Sequence, residues 1–256
     1  MSLSRLAVRL ATVAALRGAT TAGDAVRDSE ITTIDQSASA ASRPFVAVYT
    51  DDGEFTGLGR DLQSGNGSFS LVIETGVTAR MRYALEGGAT QDVDVLVPTD
   101  AIMELTLDLM ARQISVALLS ASSDWAEMWR RLVANVGRIN HRRGASAEKG
   151  ERFAGRQIEI AVTPFADPPI GKEPPQLWQD FLALLEADAD PGLRKLAPVI
   201  RRQIVGEAAA LPWQVLRQQL GLTAGEANSM LLTPPAGVTA DIAIVSVDAT
   251  PAVPTP

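Results

Sequence analysis

A long amphipathic segment at residues 101–119 most limits what this chain can fold into. Its apolar residues recur at spacings of three and four, which places them on one side of an α-helix. The main stripe consists of Met103, Leu107, Met110 and Ile114. We expect four more residues to widen it and to be buried with it: Ile102, Leu105, Leu109 and Val116. A helix with so broad an apolar face packs on a β-sheet.

Strand-like segments supply the predicted sheet. Short apolar or alternating runs occur at residues 45–49, 69–79, 92–97 and 156–163. A second amphipathic helix precedes them at residues 3–16, and Gly18 follows it where a helix C-cap belongs. Because Arg9 and Arg17 interrupt its apolar run, this segment predicts a helix and not a signal peptide. We therefore expect an α+β fold with a small, mostly antiparallel sheet backed by helices.

A change in composition divides the chain. Five prolines fall within the twelve residues 164–175, which is typical of a linker. We predict one α+β domain at residues 1–172 and an extension at residues 173–256. The extension is mainly helical, with helices near residues 176–186, 193–205 and 213–220. A strand at residues 242–247 and a Pro-rich tail complete it. No stretch reaches the roughly 20 apolar residues that span a bilayer, so we expect no membrane contact.

Charge is unevenly distributed along the sequence. Residues 130–156 hold eight Lys/Arg and two acids, a local charge of +6 in a chain whose total is −7. After a predicted helix at residues 124–136, a predicted loop carries most of this charge. The candidate contact residues are Arg138, His141, Arg142, Arg143, Lys149 and Arg152. The loop is either solvated and mobile or a contact surface. As a contact surface it would meet the acidic face of an identical neighbour or line a passage for nucleic acid.

Residues that could carry catalysis are sparse. The chain has no Cys, and its one histidine, His141, stands beside Arg142 without a predicted partner. The best carboxylate cluster is Asp51, Asp52 and Glu54, but Asp-Asp-Gly after a strand is ordinary turn chemistry. No Gly-rich phosphate or dinucleotide motif stands in its required context. We expect no enzyme activity, no cofactor and no metal, with a carboxylate-dependent hydrolase as the least favoured alternative.

Three segments, in this order, resemble the tail terminator (tail completion, minor tail) proteins of long-tailed bacteriophages. The first is the helix at residues 6–16, which ends at Gly18-Ala-Thr and is followed by Ala22-Gly-Asp-Ala-Val-Arg-Asp-Ser-Glu-Ile. The second is Arg43-Pro-Phe-Val-Ala-Val-Tyr-Thr-Asp-Asp. The third is Ala154-Gly-Arg-Gln-Ile-Glu-Ile-Ala-Val-Thr-Pro-Phe-Ala-Asp-Pro-Pro. The resemblance covers about residues 3–170 and includes no active-site signature.

The resemblance implies an α+β subunit that assembles as a hexameric ring in the virion, after synthesis in the host cytoplasm. Such a ring caps the finished tail tube, stops its polymerisation and provides the surface to which the filled head docks. The implied partners are further copies of the chain, the tail tube protein and the head–tail connector. DNA would pass through the lumen without sequence-specific binding. A neighbouring neck or connector protein and a tail tube protein are the alternatives, and residues 173–256 have no counterpart in the family.

Overall fold

The computed structural model describes residues 2–29, 44–54, 67–78, 82–84, 90–92, 100–146, 153–206 and 211–234. The helices are α1 (Leu3–Leu16), α2 (Asp100–Leu118), α3 (Asp124–Leu132), α4 (Gln176–Ala187), α5 (Pro191–Val205), α6 (Pro212–Gln219) and α7 (Ala224–Ser229). The strands are β1 (Val26–Asp28), β2 (Phe45–Glu54), β3 (Ser68–Thr78), β4 (Arg82–Ala84), β5 (Thr90–Asp92), β6 (Val133–Ser146) and β7 (Phe153–Pro164). The predicted strand at residues 242–247, the Pro-rich tail and all but the first residue of the one at 92–97 lie outside the described residues.

Five strands form one mixed sheet in the order β1-β2-β3-β7-β6. β1 runs parallel to β2, and the other neighbours are antiparallel. β4 and β5 pair separately as a two-stranded sheet. Helices and this mostly antiparallel sheet confirm the predicted α+β class.

The core lies between the helices and one face of the sheet. Val48, Ile73 and Ile158 sit opposite one another on β2, β3 and β7, so alternate residues of these strands share that face. α2 lies over β3 and β7. Its predicted main stripe is confirmed, because Met103, Leu107, Met110 and Ile114 are all buried against the sheet. Burial of one such side chain contributes about 1.5–3 kcal/mol.

The four residues expected to widen that stripe are exposed instead. Ile102, Leu105, Leu109 and Val116 keep 53%, 58%, 52% and 52% of their surface. Neighbouring positions on a helix point about 100° apart, so residues one or two places from the main stripe turn away from the sheet. We call these four residues, together with the exposed Leu119, the outer stripe.

The N-terminal helix forms as predicted, and a residue far along the chain caps its first turn. Leu10, Val13 and Leu16 of α1 are buried, and Gly18 follows the helix with a φ of 68°. Asp167 accepts from the hydroxyl of Ser2 at 2.7 Å and from the backbone N–H groups of residues 3 and 4 at 2.9 and 2.8 Å. A carboxylate at this end is favoured because the first N–H groups of a helix lack partners and point outward. The chain after β7 is thereby tied to the start of α1.

The predicted helices of the extension are confirmed, and two of them join the same core. The buried residues of α4 and α5 belong to one cluster with those of α1, α2 and α3: Trp178, Phe181, Leu182, Leu185, Leu193, Ala197, Ile200 and Ile204. Trp125 of α3 donates its Nε1–H to Asp188 at 2.9 Å. Apolar packing is therefore continuous across residue 172, where we predicted a domain boundary.

Among the helices that the structure describes, none combines the length and the apolar character needed to cross a membrane.

Candidate contact surface on the edge strand

The segment that carries most of the candidate contact residues is a strand and not a loop. α3 ends at Leu132, short of the predicted Val136, and β6 continues to Ser146. Within the described residues β6 pairs only with β7, so it forms one edge of the sheet and turns a row of backbone N–H and C=O groups outward. The alternation is hidden in the sequence because a β-bulge between Val136 and Ile139 interrupts the register.

One face of β6 is only half covered. Val136, Ile139 and His141 lie opposite Val162, Ile160 and Ile158 of β7, which belong to the core. They therefore point to the side of the sheet that the helices cover. Because α2 lies over β3 and β7, Val136 and Ile139 keep 40% and 51% of their surface exposed. β6 thus presents two apolar side chains beside a backbone edge that no other described strand pairs with.

Most of the predicted positive charge is already paired within the subunit. Arg142 lies 3.2 Å from Glu159, and Arg143 contacts Glu104. Outside the candidate set, the cations of the same segment are also matched: Arg130 with Glu127, Arg131 with Asp180 and Arg156 with Asp108 and Glu104. The local excess of +6 is therefore largely compensated by carboxylates that are distant in sequence.

The remaining candidates are fewer than the sequence indicated. Arg138 and His141 are exposed and form no ion pair or hydrogen bond within the described part of the chain. Lys149 and Arg152 lie outside the described residues. Within the described residues, the candidate surface is therefore the unpaired edge and half-covered face of β6, together with Arg138, which has no partner there.

The other face of the sheet holds a polar cluster that the sequence did not reveal. Tyr49 donates to Glu74 at 2.5 Å, and the Gln157 amide donates to Glu74 at 2.8 Å and to the Tyr49 oxygen at 3.1 Å. Burial, and then the hydrogen bond to Glu74, raise the pKa of the Tyr49 hydroxyl. These three residues come from β2, β3 and β7, so no local motif marks them. Their polar groups satisfy one another and hold the strands in register.

Alkaline titration should reveal this cluster. Folding raises the pKa of Tyr49 above the value of about 10 for an unfolded tyrosine, so the stabilisation is complete below pH 10 and is lost as pH rises through the folded-state value. We expect the ultraviolet absorbance of tyrosinate to show one tyrosine that ionises at a higher pH than an ordinary exposed tyrosine, which we call the late component. Tyr49→Phe should remove this component, whereas Tyr83→Phe, at the only other tyrosine, should leave it. A late component that survives Tyr49→Phe would contradict the assignment.

The carboxylate cluster does not have the geometry expected of an acid–base pair. Asp51, Asp52 and Glu54 lie within β2 at a β-bulge and not in the predicted turn, and all three are exposed. A carboxyl group that acts as a general acid at neutral pH is usually shielded from water. In the part of the chain that the structure describes, no three His, Cys, Asp or Glu residues are grouped so that they could hold a metal ion.

Comparison with models of known protein families and with curated proteins gives no match for this chain.

Proposed function

We propose that this chain is a structural virion protein that forms a ring, caps the tail tube of a long-tailed phage and joins it to the head–tail connector. Its action is assembly and not catalysis. The order of the three resembling segments supports this proposal, and so does their position in the fold. The first supplies α1, the second β2 and the third β7, and Asp167 of the third caps α1 of the first.

The observation that carries the proposal is the edge of the sheet at β6, where no further described strand pairs with the backbone. β6 is 14 residues long, and within the described residues it has an unpaired backbone edge, two half-exposed apolar side chains and, in Arg138, a cation without a partner. The opposite edge strand, β1, has three residues. A cyclic ring joins one patch of a subunit to a different patch of the next. A subunit with one long edge strand and a separate exposed apolar surface on α2 has two different patches of the kind that a ring requires.

The test is deletion and complementation in the phage or prophage that encodes the chain. Without it, we expect tails of uncontrolled length that do not join heads, as seen by electron microscopy of lysates. The wild-type gene should restore normal particles. Arg138→Glu should restore them poorly, because it reverses the charge of the β6 cation that has no partner among the described residues.

Lys195→Glu is the matched control, since Lys195 is an exposed cation on α5 and the charge changes by the same amount. Normal tails in the deletion strain would refute a terminator role. An image that places the chain within the tube or at the portal would assign it instead to the neighbouring tube or connector role.

A further inference from the structure

We propose that residues 242–247 of one copy of the chain add as a further strand to the β6 edge of the next copy. The proposal deepens the ring proposed above and rests on it, because it names the segment and the edge that meet between subunits. The occupant of the edge is thus a segment of this chain, supplied by a second copy.

β6 presents a regular backbone edge to a further strand. Its bulge lies near its start, and from Ile139 to Ser146 its pairing with β7 is unbroken over eight residues. Within the described residues no strand pairs with its other side, and β6 contains no proline that would remove an N–H group. An edge of this kind can accept an extended peptide, whose main-chain hydrogen bonds continue the sheet.

The sequence after the described residues contains a segment suited to such an edge. This segment, residues 242–247, reads Ile242-Ala-Ile-Val-Ser-Val, with four β-branched apolar side chains and no charge. β-Branched residues favour strands, and six extended residues span about 20 Å, which fits the regular part of β6. Pro235 and Pro251 stand on either side, at a distance from the segment. Apolar segments of this composition associate with other strands when they are left unpaired, so we expect this one to have a partner.

The helices before this segment lie outside the subunit core. α6 has no buried residue, α7 has one, Ala227, and neither helix belongs to the core cluster. α6 contacts the chain that follows β7, where Gln219 donates to the carbonyl of Ile170 at 3.1 Å. From Pro234, the last described residue, eight residues lead to Ile242 and reach at most about 29 Å. A segment with this reach, carried on a peripheral unit, can extend to a neighbouring copy.

The same peripheral unit exposes apolar side chains. Five large apolar residues in and around α6 and α7 are exposed: Leu211, Leu216, Leu220, Met230 and Leu231. Leu231, three residues before the end of the described chain, keeps 89% of its surface. This concentration of exposed apolar side chains is typical of a unit that contacts another chain. It supports a path of the C-terminal residues toward a neighbour.

The other edge of the sheet is less suited to the segment. β1 has only three residues, and the part of β2 beyond it contains the exposed acids Asp51, Asp52 and Glu54. The segment is flanked by Asp241 and Asp248, so like charges would meet at that edge. β6 contains no acid, and the preference for it therefore does not depend on any unpaired arginine.

An added strand would also cover the half-exposed face of β6. Alternate residues of a strand share one face, so Ile242 and Ile244 point to the same side. On the helix-covered side they would lie beside Ile139, which keeps 51% of its surface exposed. Pairing of two β6 edges with each other would join like patches and give a two-fold dimer. An edge and a C-terminal segment are unlike patches, as a closed ring requires.

Proline variants test whether the segment is needed. Ile244→Pro removes a backbone N–H group from the middle of the segment, and Ala252→Pro is the matched control in the same tail, beyond the segment. Circular dichroism and thermal denaturation should show that both variants fold, because neither position belongs to the described core. In sedimentation and native mass spectrometry, wild type and Ala252→Pro should form rings. Ile244→Pro should be monomeric, with association weakened on the order of a hundredfold.

Disulfide formation tests which edge the segment meets. The chain has no cysteine, so variants with one cysteine each give specific links. Ile244→Cys is mixed in turn with a cysteine variant at each position from Ile139 to Arg143, since a disulfide needs Cα atoms about 4.4–6.8 Å apart. After oxidation, at least one mixture should link two chains roughly tenfold more than the control mixture with Thr50→Cys, on β2 at the other edge. Mass spectrometry of the linked peptides identifies the pair, and chains that carry both cysteines report links within one subunit.

The remaining outcomes overturn the proposal. Rings formed by wild type and by Ile244→Pro alike exclude the strand addition and leave the proposed ring in place. Links that form only within single chains place the segment on the edge of its own subunit, and links that favour Thr50→Cys place it on the other edge. Wild-type protein that stays monomeric, alone and with its tail tube protein, refutes the ring and the strand addition together.

Discussion

Replacing Met110 with Asp is expected to unfold the chain at room temperature. Met110 has 0% exposed surface and lies between α2 and the sheet, in the same cluster as Leu107 and Ile114. The change removes the packing of a methionine and buries a carboxylate with no partner. Together these effects cost on the order of 5 kcal/mol, which is comparable with the whole stability of a typical domain. Far-ultraviolet circular dichroism and urea denaturation measure the loss.

Leu109→Asp is the matched control for this change. It lies one residue away on the same helix and becomes the same residue, but it belongs to the outer stripe and is half exposed. We expect it to change the free energy of unfolding by no more than about 1 kcal/mol. Both variants should be compared at low protein concentration, so that assembly does not add to the measured stability. Equal destabilisation by the two changes would show that α2 is oriented differently.

The contrast between Met110 and Leu109 also shows what the sequence can predict about α2. Spacings of three and four identify the helix and its bounds, and both stripes have these spacings. The pattern predicts that a residue contacts something apolar, but not whether that neighbour belongs to the same subunit. The main stripe was assigned correctly. Ile102, Leu105, Leu109 and Val116 were wrongly assigned to the subunit core, because all four are exposed in the subunit.

β6 was predicted less well, for identifiable reasons. Gly137 and Asn140 are typical of turns, and the bulge after Val136 breaks the alternation by which strands are found. Arg142 and Arg143 of β6 seemed unopposed in sequence because their partners lie elsewhere: Glu159 on β7 and Glu104 on α2. Ion pairs between distant segments follow from the fold, so local charge overstates the charge that a surface presents.

Composition alone is also ambiguous at the Pro-rich stretch of residues 164–175. Its composition is typical of a linker, and we predicted a boundary there. In the structure, Pro168 and Pro174 are buried and Asp167 holds the start of α1. Proline restricts the backbone whether a segment is a linker or is packed against the core. The frequency of proline therefore predicts an irregular backbone segment, but not whether that segment is packed against the core or free of contacts.

Replacing Phe181 with Ala tests whether the extension folds as part of the same core. Phe181 of α4 has 0% exposed surface and meets Trp125 of α3 edge-on, with ring centroids 6.2 Å apart, and Trp178 at 5.7 Å. The cavity left by the ring should lower the free energy of unfolding by about 3–5 kcal/mol. Because the core is continuous from α3 to α4, we expect one transition that is shifted as a whole in denaturation followed by tryptophan fluorescence and circular dichroism.

Val199→Ala, at an exposed residue of α5, should leave that transition within about 0.5 kcal/mol of wild type. Two separate transitions, of which Phe181→Ala moves only one, would instead place an independent domain boundary near residue 172. The result also bears on assembly. α3 leads directly into β6, so a change that loosens α4 and α3 should also weaken the edge strand proposed for assembly, although Phe181 itself lies in the core.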